Sequence, residues 1–472
     1  MLEYRKLKDK HVSSSPSILG KKASKMEKEK RFTEHIKYET MKIYSLDSIK
    51  TPHDLMCIAE NIKTSQPCVI VLDTLTDIAD KVQEISISLF HIEIEYALKK
   101  VQLLTDYCMD WINRTIASER LKKEAANDIK IRIGRITELC NEAPYMIDDH
   151  ELMAQGSIIS TLFLSYFLRM RGTENCILNS FYFLRLGIDR KPDMENSRKN
   201  LEEYIKDSPD MPVYITQNEL CMNVYNETCL LPHGGKDYYA TLIGDLFHAD
   251  EIVLCTPDNV MTDSIKMQQT YSITYSEAEN LIDCGGKFVS AECISLARSA
   301  RMTIELVKIP FAGKNHLRIS AEGAGAGVKA IVSRQQVVFI KLKSLEVLKA
   351  YLFIGKVFDT FEKYKVLIHA VVTSNVNISM AVSCSNDTLR FIYRELGKYA
   401  EVGIETDMAV VSVVGNLSWE HTGMEARIIN TLCHIPVYLI SYGSSNHNVS
   451  VVVREKDRVR ALEELEGAFG GV

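Results

Sequence analysis

Several features are missing from this sequence, and each absence excludes a class of protein. No run of about 18 uninterrupted apolar residues is present, so we expect no membrane-spanning helix. The N-terminus lacks the apolar core of a secretory signal, so the sequence predicts a cytoplasmic protein with reduced thiols. None of the twelve cysteines forms a CxxC pair, which excludes a metal finger. The net charge of -6 gives no electrostatic reason to expect a nucleic-acid partner.

The composition that remains is that of an ordinary globular protein. The 472 residues are 46% hydrophobic and 25% charged. At about 100–200 residues per domain, this length predicts two to four domains. Residues 1–40 are rich in Lys, Arg, Ser and Glu, and we expect a disordered basic extension with a frayed helix around 24–37. An arm that touches RNA or a membrane surface is the alternative, but no amphipathic stripe accompanies the charge.

Between residues 41 and 320, short apolar strands alternate with longer stretches of helical periodicity. The strands are predicted at 68–72, 213–216 and 252–255, and the helices within 78–141, 156–170 and 237–248. Strands that alternate with helices predict an α/β sheet with crossover connections.

A change of texture near residue 321 marks a second region. Residues 321–328 form a linker of small residues. Beyond it, one pattern of strand, helix, strand and strand occurs twice. The predicted elements are 337–342, 355–364, 366–374 and 377–383, then 409–414, 423–431, 437–441 and 449–453. Paired βαββ units of this kind suit small ligands that bind between domains.

Five stretches, in consistent order, resemble the motifs of aspartokinases in their single-function form with a long helical insertion. They are Ala154–Thr161 (AQGSIIST), Tyr214–Gln217 (YITQ), Pro232–Tyr238 (PHGGKDY), Tyr275–Glu279 with the following Gly285–Lys287 (YSEAE and GGK), and Tyr442–Asn448 (YGSSNHN). The resemblance implies an amino-acid-kinase fold over 41–320, which is an open, mostly parallel sheet with helices on both faces. Two ferredoxin-like ACT domains are then implied, over 330–400 and 401–472.

The resemblance also implies a reaction. Aspartokinases transfer a phosphoryl group from ATP, accompanied by Mg²⁺, to the side-chain carboxylate of L-aspartate, which opens the route to lysine, threonine and methionine. Lysine or threonine commonly inhibits by binding at the ACT domains. Those domains pair across subunits, so a homodimer is implied.

The phosphate loops depart from the family pattern. The family's K-F-G-G-T-S corresponds to residues 42–47 here, where Lys42 remains as a candidate catalytic cation and both glycines are replaced. Side chains at those positions obstruct the close backbone approach that a phosphate needs. The family's S-A-x-x-G becomes residues 73–77, again without its glycine. Asp47, Asp73 and Asp77 add negative charge where a triphosphate should lie.

The remaining site residues are partly kept and partly changed. Ser157 replaces the glutamate that pairs with the substrate ammonium in the family, and His233 replaces the arginine that grips a carboxylate. The family's serine after the glycine pair is Lys236. The retained candidates are Asp237 as a catalytic residue, with Gly234, Gly235, Thr256 and Lys287 as nucleotide or phosphate contacts. Each also has a structural explanation, since two glycines permit a tight turn and Lys287 fits a surface position. No residues are assigned to a metal.

The regulatory half keeps its outline. The family's T-S-E-V becomes T-S-N-V at residues 373–376, and Leu352 replaces a glycine. The candidate effector contacts are Leu352, Ser374, Asn375 and Val376, which could hold an amino-acid backbone. Loss of the acid at Asn375 weakens the case for a cationic effector such as lysine.

Two functional hypotheses remain. The first is a catalytically impaired aspartokinase homologue, a pseudoenzyme that senses an amino acid and pairs with itself or with an active paralogue. The alternative is an active, divergent aspartokinase that acts on aspartate or a related small acid. The losses fall at several separate contact points, which favours the first. A purely structural role through ACT-mediated oligomers is a third possibility.

Overall fold

The computed structural model describes the chain between residues 41 and 469, with gaps. The described residues are 41–62, 66–142, 149–206, 211–256, 265–266, 270–308, 316–323, 325, 327–345, 350–374, 376–417, 422–443 and 445–469. The predicted basic extension and its frayed helix lie outside the described residues.

Helices and strands follow the predicted alternation. The helices are α1 (Pro52–Ala59), α2 (Thr76–Phe90), α3 (Ile94–Thr115), α4 (Glu119–Asn141), α5 (Asp149–Met170), α6 (Ser180–Phe183), α7 (Met194–Lys206), α8 (Gly235–Leu246), α9 (Tyr275–Asp283), α10 (Ala291–Ala300), α11 (Ala350–Lys363), α12 (Asn386–Leu396), α13 (Met424–Thr431) and α14 (Glu455–Phe469). The strands are β1 (Lys42–Leu46), β2 (Cys68–Leu72), β3 (Asn175–Ile177), β4 (Val213–Gln217), β5 (Leu220–Met222), β6 (Thr228–Leu230), β7 (Glu251–Thr256), β8 (Ile265–Lys266), β9 (Thr270–Thr274), β10 (Thr303–Lys308), β11 (His316–Ser320), β12 (Gly327–Ser344), β13 (Leu367–Thr373), β14 (Asn377–Ser383), β15 (Ala400–Asn416), β16 (Leu439–Ser441) and β17 (Asn448–Arg454).

The first domain is built on a mostly parallel sheet. Among the described residues its strand order is β3-β4-β2-β1-β7-β10-β11-β9, and only the β10–β11 pair is antiparallel. The central strands β2 and β4 are buried at every residue. This burial on both faces explains their continuous apolar sequences, because helices cover a parallel sheet from both sides. An open parallel sheet collects ligands at the carboxyl ends of its strands.

A helical insertion, α2 to α5, packs on one side of this sheet. Its apolar residues recur at helical spacing and share one core with the sheet. Ser118 caps the start of α4 by accepting a hydrogen bond from the Leu121 N–H, which separates α3 from α4. Helix α5 has the length and the apolar composition of a helix that could cross a membrane. However, 89% of its most apolar 18-residue segment is buried inside the protein, as in a core helix.

The second region forms one antiparallel sheet from two units. Its strand order in the described chain is β13-β14-β12-β15-β17-β16. The long strands β12 and β15 pair along nearly their whole lengths, with bulges at residues 334–339 of β12. The carboxyl-terminal half of β12 pairs with β14, and the carboxyl-terminal half of β15 pairs with β17. The two units therefore share both long strands.

The sequence predictions of the fold class are confirmed, with one refinement. The repeated βαββ pattern is incomplete, since α12 and α14 add a second helix to each unit. Residues 327–334 of β12 pair with residues 410–416 of β15 in the second unit, although they precede the first unit in sequence. Short windows of alternating residues do not reveal a strand that crosses from one unit into the other.

Candidate functional site

The candidate site lies where the central parallel strands end. Asp47 follows β1 and its N–H donates to the Cys255 carbonyl of β7, while the Asp73 N–H donates to the Leu46 carbonyl of β1. The Asn218 N–H in turn donates to the Leu72 carbonyl of β2. Because these strands are parallel and adjacent, the three side chains share one edge of the sheet.

A lysine from helix α8 occupies this edge. The Lys236 ammonium Nζ lies 2.5 Å from Asp73 Oδ2 and 2.9 Å from Asp47 Oδ1. The exposed fractions are 37% for Lys236, 32% for Asp47 and 18% for Asp73, so the cluster is half-buried. We refer to Asp47, Lys236 and Asp73 as the acidic-edge cluster.

The charges of this cluster are strongly coupled. Burial raises the pKa of Asp47, but the hydrogen bond and charge of Lys236 outweigh it and hold that pKa below its ordinary value. Burial dominates at the more enclosed Asp73, and its pKa is raised although Lys236 opposes the change. Burial by itself would lower the pKa of Lys236. The two carboxylates raise this pKa by more than burial lowers it, so the ammonium stays charged. The Lys236 ammonium therefore pairs with the carboxyl groups of both Asp47 and Asp73.

Nearby Glu219 adds to the acidic character of this edge. Burial raises its pKa, Lys236 lowers it, and the neighbouring aspartates raise it again, with a net increase. The residue has a left-handed backbone with φ of 58°. A third carboxyl group thus faces the same lysine.

Two glycines shape the start of α8. Gly234 has φ of 97° and Gly235 has φ of 75°, a backbone region that favours glycine. A Cβ on Gly234 would lie 2.2 Å from Tyr238 Cδ1, so no side chain fits there. The predicted tight turn into α8 is therefore present. Lys236 of the acidic-edge cluster belongs to the first turn of this helix.

Asp237 is engaged in a helix-to-helix contact. Its Oδ2 accepts a hydrogen bond from the Ser290 N–H at 2.5 Å. Ser290 is the N-cap of α10, and its own side chain accepts from the Cys293 N–H. Asp237 thus stabilises the start of α10 and fixes that helix against α8.

The structure separates Lys42 from this site. Lys42 begins β1 and stands opposite Glu251, the first residue of β7, with Lys42 Nζ 2.7 Å from Glu251 Oε2. Asp47 is five residues further along the chain, which spans roughly 16 Å in a strand at about 3.3 Å per residue. Lys42 therefore lies at the amino edge of the sheet, and the contact with phosphate predicted for it has no geometric support here.

Ser157 reaches the second loop from helix α5. Its Oγ lies 2.6 Å from Thr74 Oγ1, and Ser160 Oγ accepts from the Leu75 N–H. Gly156 permits the approach, since a Cβ there would lie 3.2 Å from a Val82 methyl carbon. Ser157 is thus next to Asp73 in space, but its hydroxyl serves the packing of α5 on the loop.

Some buried polar groups near this edge have no hydrogen-bond partner within the described part of the chain. Both side-chain amide atoms of Asn218 are in this state, although the residue is only 4% exposed. Gln155 Oε1 and Thr216 Oγ1 are also buried without a partner. Such groups are costly unless a polar ligand or water satisfies them. In contrast, Gln217 bonds Thr161, Asn179 and Ser180.

Two protein families match parts of the chain. The amino acid kinase family matches residues 91–308, and the ACT domain matches residues 411–469. Aspartokinase from Candida albicans is 24% identical over 414 residues, which cover 74% of each chain. Aspartokinase 3, chloroplastic, from Arabidopsis thaliana is 28% identical over 256 residues, which cover 51% of this chain and 46% of that protein. The chain belongs to the aspartokinase family.

Solved aspartokinase structures share the fold. The Clostridium acetobutylicum aspartate kinase superposes with a TM-score of 0.73 at 14% identity, covering 91% of this chain and 99% of that one. The Escherichia coli aspartokinase III, in complex with aspartate and ADP, gives a TM-score of 0.62 at 19% identity with the same coverage. The alignment with the Arabidopsis relative spans about half of that relative's length.

The other predicted site residues of this aspartokinase homologue are spread around the helix starts. His233 is exposed just before the glycine pair, and Thr256 ends β7 beside β1 at the carboxyl edge. Lys287 is exposed on the turn that leads to Ser290, which contacts Asp237. Asp237 and the glycine pair therefore adjoin Lys236 at the start of α8, and Lys287 lies three residues before the Ser290 that contacts Asp237.

Two of the predicted effector residues, Ser374 and Val376, lie on the turn between β13 and β14 of the first ACT unit. The Ser374 N–H donates to the Asn377 carbonyl, and the Val376 carbonyl accepts from the Ser344 N–H at the end of β12. Leu352 lies in the first turn of α11 and is 47% exposed. Asn375 lies outside the described residues. The named main-chain groups of this turn are thus engaged within the first ACT unit, and Leu352 is exposed on α11.

The ACT pair is attached to the kinase domain through α9. Ser445 Oγ donates to Asn280 Oδ1 at 3.0 Å, and Asn448 Nδ2 lies 3.3 Å from Cys284 Sγ. Arg334 also donates to the Asp283 carbonyl. Helix α9 leads directly into the turn that ends at Ser290, so the ACT pair and Asp237 contact one continuous segment.

Sequence reasoning missed the role of Lys236. The residue was assigned only as a replacement for the family's serine, and Asp47 and Asp73 only as new negative charges. The signal was the simultaneous appearance of two acids and one base at three site positions, which predicts an internal ion pair once the fold brings them together.

Proposed function

We propose that this aspartokinase-family protein is catalytically impaired and acts as an amino-acid-sensing regulatory homologue. The acidic-edge cluster carries the proposal. Two carboxylates occupy the loops where the family places phosphates, and Lys236 is held between them. The cation that could neutralise an incoming phosphate is already committed.

The electrostatic balance disfavours a nucleotide. With two carboxylates and one ammonium, the acidic-edge cluster carries a net negative charge before Glu219 is counted. Two like charges 4 Å apart repel by about 4 kcal/mol at an effective dielectric of 20. Tyr44 and Ser45, which stand in place of the family's two glycines, lie inside β1 between β2 and β7, so their backbone groups pair within the sheet and not with a phosphate. Phosphoryl transfer depends on such positioning and neutralisation, so its rate should fall steeply.

The sensing role rests on the ACT pair. Ser374 and Val376 are exposed on the turn between β13 and β14, and Leu352 is exposed on α11, so these residues are accessible to an amino-acid ligand. A solved Escherichia coli aspartokinase III contains lysine and aspartate. For this chain, the absence of an acid at Asn375 favours a neutral amino acid over lysine.

A calorimetric titration tests the impairment. We expect no measurable binding of Mg-ATP, meaning a Kd weaker than about 1 mM, and no formation of phosphoaspartate in a hydroxamate assay with L-aspartate. A thermal-shift panel of the twenty amino acids should give stabilisation by at least one of them. Tight Mg-ATP binding with aspartate turnover at a normal pace would reject the proposal.

The alternative function is an active, divergent aspartokinase. The retained α8 start, with Gly234, Gly235 and Asp237, favours it, since helix starts bind phosphate. ATP and Mg²⁺ would then be its cofactors. Asp47 and Asp73 have the oxygen ligands that Mg²⁺ prefers, and the metal would supply the neutralising charge for phosphoryl transfer. Lys236 would have to leave both carboxylates first, and no cluster of three or more metal-ligating side chains occurs within the described part of the chain.

We also propose that the protein is a homodimer joined through its ACT units. Strand β13 is an edge of the ACT sheet, and its side chains Leu367 and Val372 are 58% and 45% exposed. An exposed apolar edge strand is a ready partner for a second strand. Sedimentation at micromolar concentration should give a dimer, and a monomer would contradict this assembly.

A further inference from the structure

A pair of cysteines faces across the short hairpin that precedes α8. Cys221 in β5 and Cys229 in β6 are direct partners, and their Sγ atoms lie 3.6 Å apart. The Leu231 N–H donates to the Glu219 carbonyl on one side of this pair, and the Asn223 N–H donates to the Glu227 carbonyl on the other. The cysteines therefore form a hydrogen-bonded pair, whose Cα atoms are about 5.5 Å apart, within the range that a disulfide spans.

We propose that Cys221 and Cys229 are a thiol modification site that closes to a disulfide when the protein meets a small disulfide oxidant such as oxidised glutathione. The inference rests on this hairpin alone and does not depend on the proposed loss of kinase activity.

The burial of the two thiols sets the order of the steps. Cys229 is partly exposed, whereas Cys221 is fully buried. The Cys229 thiolate attacks one sulfur of oxidised glutathione, which forms a mixed disulfide and releases one glutathione thiolate. The Cys221 thiolate then attacks the Cys229 sulfur and releases the second glutathione. Two protein thiols are oxidised, one glutathione disulfide is reduced to two thiols, and the two thiol protons pass to the released thiolates.

The second step should be slow at neutral pH. The hydrogen-bonding contact with Cys229 raises the pKa of the Cys221 thiol, and burial adds a smaller increase. Only a small fraction is thus thiolate, and the rate of closure should rise with pH. The short separation of the two sulfur atoms offsets this, because no search of conformations precedes the attack.

The location gives the disulfide a consequence for the acidic-edge cluster. The hairpin starts at Glu219, next to Lys236, and returns at Leu231, three residues before Gly234. The Tyr239 hydroxyl of α8 donates to the Leu220 carbonyl at 2.9 Å. A covalent link across the hairpin would fix both its ends against the start of α8, and so limit the movement that a ligand needs to enter this edge.

Intact-mass analysis and peptide mapping test the proposal on the full chain. The background variant carries Cys57→Ser and Cys433→Ser, because these two thiols are exposed. After incubation with oxidised glutathione, the mass should fall by two hydrogen atoms. Cleavage after Glu227, which lies between the two cysteines, should then yield two peptides that stay joined until a reductant is added.

Single substitutions separate the two steps. In Cys221→Ser the reaction should stop at the mixed disulfide, with one glutathione retained on Cys229. In Cys229→Ser the buried Cys221 should gain no glutathione in the folded protein. Cys221→Ala replaces Cys221→Ser if the serine variant fails to fold, as judged by circular dichroism. A stable glutathione adduct on Cys229 in the background variant, or peptides that separate without reductant, would overturn the proposal.

Discussion

Lys236 Nζ lies 2.5 Å from Asp73 Oδ2, at the edge of the sheet where the parallel strands β1 and β2 end. The lysine comes from the first turn of α8, and the aspartate from the end of β2, 163 residues earlier in the chain. Asp47 completes the arrangement from the end of β1. The protein thus holds a cation of its own between two loops that have lost the family's glycines and gained acids.

Removal of the Lys236 ammonium should destabilise the kinase domain. Lys236→Ala leaves Asp47 and Asp73 without a cation, and the loss should be about 1 kcal/mol after allowance for solvent screening of these half-buried groups. A lower urea midpoint of unfolding measures it. Lys199→Ala, which breaks an ion pair with Glu195 on an exposed helix face, is the matched control and should change the midpoint little. Equal midpoints for both variants would show that the acidic-edge cluster contributes no stability.

The same substitution should create a response to divalent cations. Without Lys236, the carboxylates of Asp47 and Asp73 face each other and can share Mg²⁺ or Mn²⁺. We expect Mn²⁺ to raise the melting temperature of Lys236→Ala and to leave the natural protein unchanged. Adding Asp73→Asn to Lys236→Ala should abolish the effect. A shift of the natural protein equal to that of the variant would contradict the view that the ammonium excludes a metal.

Asp237 should matter for stability in the absence of any ligand. Asp237→Ala removes the acceptor of the Ser290 N–H, so the N-cap residue of α10 loses its contact with α8 and the unfolding free energy should fall by about 1–2 kcal/mol. Asp237→Asn keeps an acceptor oxygen and should cost less than half of that. Hydrogen exchange of the amides at the start of α10 reports the change locally. If both variants exchange at the natural rate, the contact has no structural role.

His369 should make the first ACT unit sensitive to acid. Burial, with a contribution from the charge of Arg334, lowers the pKa of His369 from 6.5 to about 4, and the ring lies 2.7 Å from Ser383 Oγ. The unfolded chain binds the proton first, so the histidine lowers stability as pH falls from 6.5 toward 4. The loss is at most about 3 kcal/mol, and screening at this half-buried position reduces it to about 1 kcal/mol.

Hydrogen exchange of the β13 and β14 amides at several pH values checks this prediction. In the natural protein, protection should decrease over that acidic range more than the chemistry of exchange alone requires. His369→Gln cannot titrate there and can still bond Ser383, so its protection should vary less. Parallel curves for the two proteins would exclude His369 as the source.

Much of the fold was predictable because its signals are local. Strand β2 has a continuous apolar, β-branched sequence because both of its faces are buried. Helices α2 to α4 show helical periodicity because each buries one apolar stripe. The glycine pair before α8 predicts the tight turn that is present. The shared strands β12 and β15 were not predictable in this way, because pairing between residues 327–334 and 410–416 depends on partners far apart in the chain.

The amino-acid sequence by itself indicated the family, through the resemblance of five stretches to aspartokinase motifs, and the order of elements, through local periodicity. Only the tertiary structure decided which lysine lies at the carboxyl ends of β1 and β2. Lys42 lies one strand length away and pairs with Glu251, whereas Lys236 reaches Asp47 and Asp73. The physical reason is that attraction between charges depends on distance in space, and the parallel order of β1, β2 and β7 sets those distances.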